Sequence, residues 1–478
     1  MKNKFNKIDS KEWLPFQKSF YRIVSDEELY RNTIRFFCDP TKNATVEYYG
    51  CKGDILQNIC VNEGLKSSNV ENHETNDIQF LIFDLRDEIN EIKNLKEYEK
   101  LKKKIESIIC LKKDNLIERR FVCVLANNIY TRGIYRPFAW EIAKSLGKTL
   151  SLKDEKIICY DEGQFEILNS KNVFSPSKET AYQLFFRKDD DNEFNKNTFK
   201  VKNSFLSNTK EKKSVYSDRN RIDSWFILKP PRRNKLEILH PAKYPESLVE
   251  SFVENFTDED DFIFDPMSGS GSTQIGSLKS NRNALGTELS TFFCNIANER
   301  CDELINPKQT TLFESEEIKN TYRILNIDAR KVTKKLFPKI DYMITSPPYW
   351  DMLNMQGAEN QAKRIEKGLM TNYSDEENDL GNIDDYEKFI DELVGLYIKI
   401  SDLMEPGSYI TIVVKNIKKK GRNYPFAWDL ANKLIPHMTL IKETFWCQDD
   451  ISIAPFGYGN TWVSNTFHQY CLTFQIKI

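Results

Sequence analysis

The feature that most constrains this chain is a repetition of its own sequence. PFAW occurs at 137–140 and again at 425–428, 288 positions later. With that offset held and no gap opened, Tyr98-Glu99-Lys100 falls on Tyr386-Glu387-Lys388, and Asn128-Ile129 on Asn416-Ile417. Cys159 falls on Cys447, and Tyr182, Leu184 and Phe186 fall on Tyr470, Leu472 and Phe474. Of the 94 positions from Asn94 to Arg187, 22 are identical. Self-similarity at a fixed spacing marks a repeated structural unit, so the two segments are expected to fold alike.

Each copy has the same coarse order. In the second, Phe389, Ile390, Leu393, Leu396, Tyr397 and Ile400 have helical spacing, and Pro406-Gly407 ends the helix. A buried strand follows, YITIVV at 409–414, paralleled by FVCVLA at 121–126. A helix runs through PFAWDLANKL, paralleled by PFAWEIAKSL. Two strands, 440–447 and 468–476, close the unit. Strands alternating with helices predict an α/β fold with a mainly parallel sheet. The last two strands have no strong helical pattern between them, which predicts an antiparallel hairpin at the sheet edge.

The remaining sequence sets bounds. The chain has 478 residues, 40% hydrophobic and 29% charged, which suits a globular protein and excludes collagen-like or wholly disordered classes. No stretch has the apolar length of a membrane helix. The charged start MKNKFNKIDSKEW has no apolar core of the secretory kind. Ten scattered cysteines without a CxxC pair read as reduced thiols, which points to the cytoplasm, and four histidines offer little for a metal site. A net charge of −2 leaves a nucleic-acid partner open, since a local basic face is enough.

Four motifs carry chemistry. FIFDPMSGSGST, 262–273, runs from a strand through Asp265-Pro266 into a Gly-rich turn, where the backbone can approach a ligand. It lacks the third glycine of a dinucleotide fingerprint and the lysine of a P-loop. In NALGTELS, 283–290, Glu288 ends the next strand, where a carboxylate can accept both hydroxyls of a ribose. In ILNIDAR, Asp328 ends a third and is placed to receive an adenine amino group. Finally, DYMITSPPYWD, 341–351, takes a strand into Ser346-Pro347-Pro348-Tyr349-Trp350. The two prolines fix φ and remove N–H donors, holding the Ser346 hydroxyl and the Pro347 carbonyl as acceptors. Such a site can grip an exocyclic amine and stack its ring.

These motifs resemble those of the amino-group DNA methyltransferases that use S-adenosylmethionine (SAM), found in bacterial restriction–modification systems. DPMSGSGST is similar to the family's DPFxGSGTT cofactor motif, with Met267 in the Phe position, and TSPPYW is similar to its (D/N/S)PP(Y/F) catalytic tetrad. HPAKYPESLVESFV, 240–253, resembles the segment that precedes the cofactor strand. The resemblance implies a Rossmann-like sheet. It implies a SAM site formed by Pro241, Lys243, Tyr244, Asp265, Pro266, Gly269, Gly271, Ser272, Thr273, Glu288, Asp328 and Thr345, and a catalytic turn of Ser346, Pro347, Pro348 and Tyr349. It implies methylation of duplex DNA by base flipping and direct transfer. Ser at the first tetrad position is similar to the cytosine-N4 subgroup; adenine-N6 is the alternative, with RNA methylation or a non-catalytic DNA-binding module further off. A cognate restriction endonuclease would be a separate partner, and monomer and homodimer both remain open.

The organisation expected from sequence is an extension at 1–80 of unknown role, then a degenerate, silent duplicate of the catalytic half at 81–188. A basic linker or DNA-recognition segment at 189–239 and a methyltransferase domain at 240–478 follow, the latter with a cofactor half, 240–335, and a catalytic half, 336–478. Within the linker, Arg219, Arg221, Lys229, Arg232 and Arg233 around Trp225 and Phe226 are candidates for base reading. Lys415, Lys418, Lys419, Lys420 and Arg422 are candidates for phosphate contact, and Trp350 for a base.

Overall fold

The computed structural model describes residues 6, 8–23, 25–50, 52–71, 77–131, 134–160, 180–192, 195, 223–231, 244–306, 318–350, 379–419, 422–449 and 466–477. Pro241, Lys243, Arg219, Arg221, Arg232, Arg233, Lys420 and the Arg422 side chain lie outside the described residues.

Two sheets organise the chain. The first contains β1 (Phe20–Arg22), β2 (Thr45–Tyr49), β3 (Lys66–Asn69), β4 (Ile78–Asp84) and β5 (Leu116–Ala126). After a small hairpin of β6 (Ile129–Thr131) and β7 (Ile134–Arg136), it adds β8 (Ser151–Cys159) and β9 (Thr180–Arg187). The second contains β10 (Trp225–Ile227), β11 (Phe262–Asp265), β12 (Asn283–Thr287), β13 (Tyr322–Leu325), β14 (Tyr342–Thr345) and β15 (Tyr409–Val414). After a hairpin of β16 (Ile417–Lys419) and β17 (Arg422–Tyr424), it adds β18 (Met438–Cys447) and β19 (His468–Ile476).

Strand order is β1-β8-β9-β5-β4-β2-β3 in one sheet and β10-β18-β19-β15-β14-β11-β12-β13 in the other. The two orders superimpose strand for strand, except that the second has an extra edge, β13. Registers match as well: Val124 pairs with Leu184 as Ile412 pairs with Leu472. Even the irregularity between Leu152 and Asp154 recurs between Leu440 and Lys442. The strands are parallel except β9 and β19, which run antiparallel to both neighbours. Continuous apolar runs such as YITIVV form these inner strands because both faces are covered, here by the flanking helices.

This topology corrects the expected boundary at residue 80. Residues 20–69 are not a separate extension, because β1, β2 and β3 lie in the first sheet at the places of β10, β11 and β12. The strand pairing of residues 20–69 therefore matches that of β10, β11 and β12, with no matching sequence. The expectation for Trp225 and Phe226 is corrected too. They form an edge strand parallel to β18, Trp225 is buried with its indole N–H donating to the Tyr160 carbonyl at 2.9 Å, and Phe226 packs on Phe252. Rings committed to a sheet edge are not available to read bases.

The halves meet across a pseudo-two-fold axis. Trp140 and Trp428, the last letters of the two PFAW motifs, stack with centroids 6.0 Å apart and planes 18° from parallel. Trp140 Nε1 donates to the Tyr182 hydroxyl at 2.8 Å, which donates to Glu443 Oε2 at 2.5 Å. In the mirror arrangement Trp428 Nε1 donates to the Tyr470 hydroxyl at 3.1 Å, which donates to Glu155 Oε2 at 3.0 Å. Asn128 Nδ2 donates to Glu443 Oε1 and Asn416 Nδ2 to Glu155 Oε1, both at 2.8 Å. Each residue contacts the counterpart of the one that contacts it, the pattern of an isologous dimer interface written within one chain. Burial drives the Glu443 carboxyl up to about 7, opposed by the tyrosine and asparagine bonds.

Trp140→Ala and Trp428→Ala should each destabilise the chain by about 3–5 kcal/mol, because both rings are fully buried. The double variant should lose less than the sum, since both substitutions break one stack. Equilibrium denaturant unfolding of the four proteins checks this.

Candidate active site

The site forms where three parallel strands end side by side. β11 lies between β12 and β14, with Asp265 opposite Gly286 and Phe264 opposite Met343. Loops leaving the carboxyl ends of such strands enclose the usual ligand crevice of an open α/β sheet.

Asp265 ties the tips together. It is 1% exposed, and its carboxylate accepts from Thr273 Oγ1 at 2.5 Å, Thr345 Oγ1 at 2.7 Å, the Tyr244 hydroxyl at 2.9 Å and the Met267 amide at 2.9 Å. Burial raises its pKa, and those donors pull it down again. With both oxygens engaged, Asp265, Thr273, Thr345 and Tyr244 brace the site from inside rather than present free groups to a ligand. Thr345 directly precedes Ser346, so this carboxylate joins the Gly-rich turn to the proline turn.

The Gly-rich turn needs its glycines. Gly269 has φ +53° and Gly271 has φ +81°. A Cβ on Gly271 would lie 3.1 Å from the Ala297 side chain. The helix Ser272–Lys279 starts directly after it, with Ser272 and Thr273 buried in its first turn. The Pro266 carbonyl accepts from Thr287 Oγ1 at 2.8 Å, fastening the turn to β12. The Gly269 amide donates to Glu288 Oε2 at 2.8 Å, and Ser290 N donates to Glu288 Oε1 at 2.9 Å.

Pro266, Met267, Gly269, Glu288, Leu289, Phe293, Asp328, Ala329, Ser346, Pro348, Asp379 and Leu380 line a single cleft of about 650 Å³, partly open to solvent. The two motifs separated by about 75 residues in sequence thus face one space. Asp328 enters it with its carboxylate held by Arg330, Nη2 to Oδ2 at 2.8 Å. Leu289, Phe293, Asp379 and Leu380 were not read from sequence. Phe293 is recoverable from its place one turn into the helix after Glu288, whereas Asp379 and Leu380 follow an insertion of no recognisable pattern. On the far side of the proline turn, the Tyr349 hydroxyl donates to Gln469 Oε1 at 2.8 Å, and Lys415 Nζ lies 4.9 Å from its ring centroid.

The basic and aromatic candidates fare differently. Trp350 is 5% exposed, donates to the Asp384 carbonyl at 3.0 Å, and packs against Tyr386, Tyr424 and Lys419, so its ring is enclosed rather than offered to a base. Lys418 Nζ bonds Asp154 Oδ1 of the first half at 2.6 Å, so the expected phosphate contact is instead an ion pair between halves.

Among the described residues, the matching place in the first sheet is occupied by side chains. Register puts Asp84 at the position of Ser346, followed by Leu85 and Arg86 where the prolines would stand. Asp84 is closed off by the Tyr30 hydroxyl at 2.6 Å and by Arg86, which also holds Asp26 at 2.8 Å. A Cβ on Gly50, φ +69°, would fall 2.1 Å from the Asp84 carbonyl, so that turn lies directly on the pseudo-tetrad. The space is filled by the chain itself.

Burial lifts the Glu288 carboxyl to about 7. A ligand whose hydroxyls donate to it favours the ionised form. Affinity for such a ligand should therefore strengthen as pH rises through about 7 and lose that dependence in Glu288→Gln. Titration calorimetry on either side of neutrality, using a ribose-bearing sulfonium or thioether nucleoside, checks it.

Comparison with known proteins agrees with this geometry. The profile of a DNA methylase family, the N6/N4 amino methylases, matches residues 64–299, running from the first sheet into the cofactor side of the second. The orphan methyltransferase M.BamHII of Bacillus amyloliquefaciens is 38% identical over 88 residues, 18% of this chain and 33% of that protein. The type II methyltransferase M2.MboI of Moraxella bovis is 30% identical over 92 residues, 19% of this chain and 34% of that protein. The chain thus spans about one third of the length of these relatives. A crystal structure of an rRNA-methylase candidate from Clostridium thermocellum aligns with 49% of this chain and 99% of its own, at 11% identity and a TM-score of 0.30. With its glycine turn and its Ser-Pro-Pro-Tyr turn facing one cleft, this chain is similar to the N6/N4 DNA methylases over residues 64–299, just under half of its length.

Proposed function

We propose that the chain transfers a methyl group from SAM to the N4 amine of a cytosine extruded from duplex DNA. The observation that carries this reading is that Gly269, Glu288 and Ser346 line one cleft. The residues fit the cofactor. Glu288 retains lone pairs for a ribose diol beside the two amides it accepts. Met267, Leu289 and Phe293 supply apolar faces for a purine, and the positive-φ glycines let the backbone come close to the amino-acid portion. When bound, SAM supplies an electrophilic methyl on a sulfonium.

The protein's share is alignment and electrostatics. The Ser346 hydroxyl and the Pro347 carbonyl accept the two amino hydrogens of the target, which returns lone-pair density from the ring to nitrogen. Positive charge growing on that nitrogen is stabilised by the same two dipoles, held in place by the Pro347–Pro348 backbone. Tyr349, anchored through Gln469, offers a ring edge or face to the base. The amine keeps one hydrogen after transfer, and the departing proton passes to solvent. Ser346 in place of an acidic or amide residue is the basis for preferring cytosine-N4 over adenine-N6. The first half is read as silent, its pseudo-tetrad closed by Arg86 and Gly50.

Ser346→Ala should lower kcat by at least about 100-fold, the scale of losing one preorganised group at a developing charge. Pro347→Ala should lower it too, and both should leave SAM affinity unchanged. Unimpaired methyl transfer by either variant would sink the assignment. Mass analysis of nucleosides from methylated DNA should show N4-methyldeoxycytidine; N6-methyldeoxyadenosine alone would move the reading to adenine. Calorimetric titration should give one SAM per chain, and two would contradict the closed first site.

A further inference from the structure

We infer that the first half is a positioning part of the catalytic half: Glu155 and Asp154, neighbours on β8, hold the segment that packs on Tyr349 and Trp350. This rests on reading Ser346–Tyr349 as the site of transfer.

The connection runs through named contacts. Glu155, 2% exposed, accepts from Asn416 Nδ2 at 2.8 Å. Asn416 Oδ1 in turn accepts from the Ala427 amide at 2.9 Å, so one side chain joins the end of β15 to the start of helix Phe426–Leu434. The residue just before it, Lys415, lays its Nζ 4.9 Å from the Tyr349 ring centroid. Two residues later Asp154 holds Lys418 at 2.6 Å, at the opening of the β16–β17 hairpin. From that hairpin Lys419 Nζ lies 4.1 Å from the Trp350 centroid, and the Tyr424 ring packs on Trp350 at 4.8 Å. The two acids of β8 therefore hold Asn416 and Lys418, and the flanking Lys415 and Lys419 bear on the last residue of the tetrad and the residue after it.

Among the described residues, the mirror side lacks the consequence. Glu443 holds Asn128 at 2.8 Å, and Asn128 Oδ1 accepts from the Ala139 amide at 2.9 Å, the same two bonds. But Lys442 stands where Asp154 stands, Asn127 where Lys415 stands, and the turn alongside is Asp84-Leu85-Arg86. The interface is symmetric in its carboxylates and one-sided in what they steady. A displacement of about 1 Å at a reacting group can cost about 100-fold in rate, so a small shift of Tyr349 would register in turnover.

The symmetry supplies the control. Glu155→Ala and Asn416→Ala are compared with their mirrors Glu443→Ala and Asn128→Ala in the full chain, with the Glu→Gln pair as the milder substitution should an alanine variant fail to fold. Melting midpoints should fall alike within each mirrored pair, and SAM dissociation constants should stay within about twofold of the parent. The turnover number should drop at least about tenfold in the Glu155 and Asn416 variants and stay near the parent in the Glu443 and Asn128 variants. Equal losses on both sides, or no loss on either, would overturn the inference. A parent protein that transfers no methyl at all would instead defeat the reading of the tetrad.

Discussion

Two buried carboxylates facing each other across a stacked tryptophan pair are the constraint on which the molecule is built. A buried carboxylate is costly unless its oxygens are fully used. Glu155 and Glu443 each take a tyrosine and an asparagine, and each of those groups has a further buried duty. Removing any one of them strands the others. That interdependence explains why the 288-residue correspondence persists most clearly here, in PFAW, Asn128/Asn416, Glu155/Glu443 and Tyr182/Tyr470, while loops and edges have diverged.

A second carboxylate does the equivalent work at the cleft. Asp265 uses its oxygens on three hydroxyls and one amide, so it ties together the Gly-rich turn, the proline turn and the segment through Tyr244. Its counterpart by register in the first half is Tyr48, which cannot accept in that way. In the first half the missing carboxylate hub, Leu85-Arg86 at the proline positions and the close approach of Gly50 go together, giving a packed core where the second half has a cleft. The fold survives because sheet pairing and the interface do not depend on the cleft.

The two halves thus meet different requirements on one topology. One keeps an open crevice with acceptors and glycines, features that weaken packing. The other fills the crevice with Asp26, Tyr30, Asp84, Arg86 and Tyr160 and offers a rigid partner surface. The ion pair between Asp154 and Lys418 adds a charge contact with no mirror, which marks where the halves have stopped being equivalent.

Much of this was legible from residues alone. Strand type, the antiparallel closing hairpin and the duplicate from residue 94 to 187 follow from local apolar runs and identical side chains, which act over short range. The Gly-rich and Ser-Pro-Pro-Tyr turns announced themselves because their backbone demands glycine and proline, whatever lies around them. Tertiary structure alone decided the rest. Residues 20–69 joined the first sheet because backbone pairing tolerates almost any side chain, so the match in topology left no match in sequence. Trp225, Trp350 and Lys418 read as nucleic-acid contacts in a linear string, since aromatic and basic residues suit that role. Their burial or pairing depends on partners 65 to 264 positions away, which only the folded chain brings into contact.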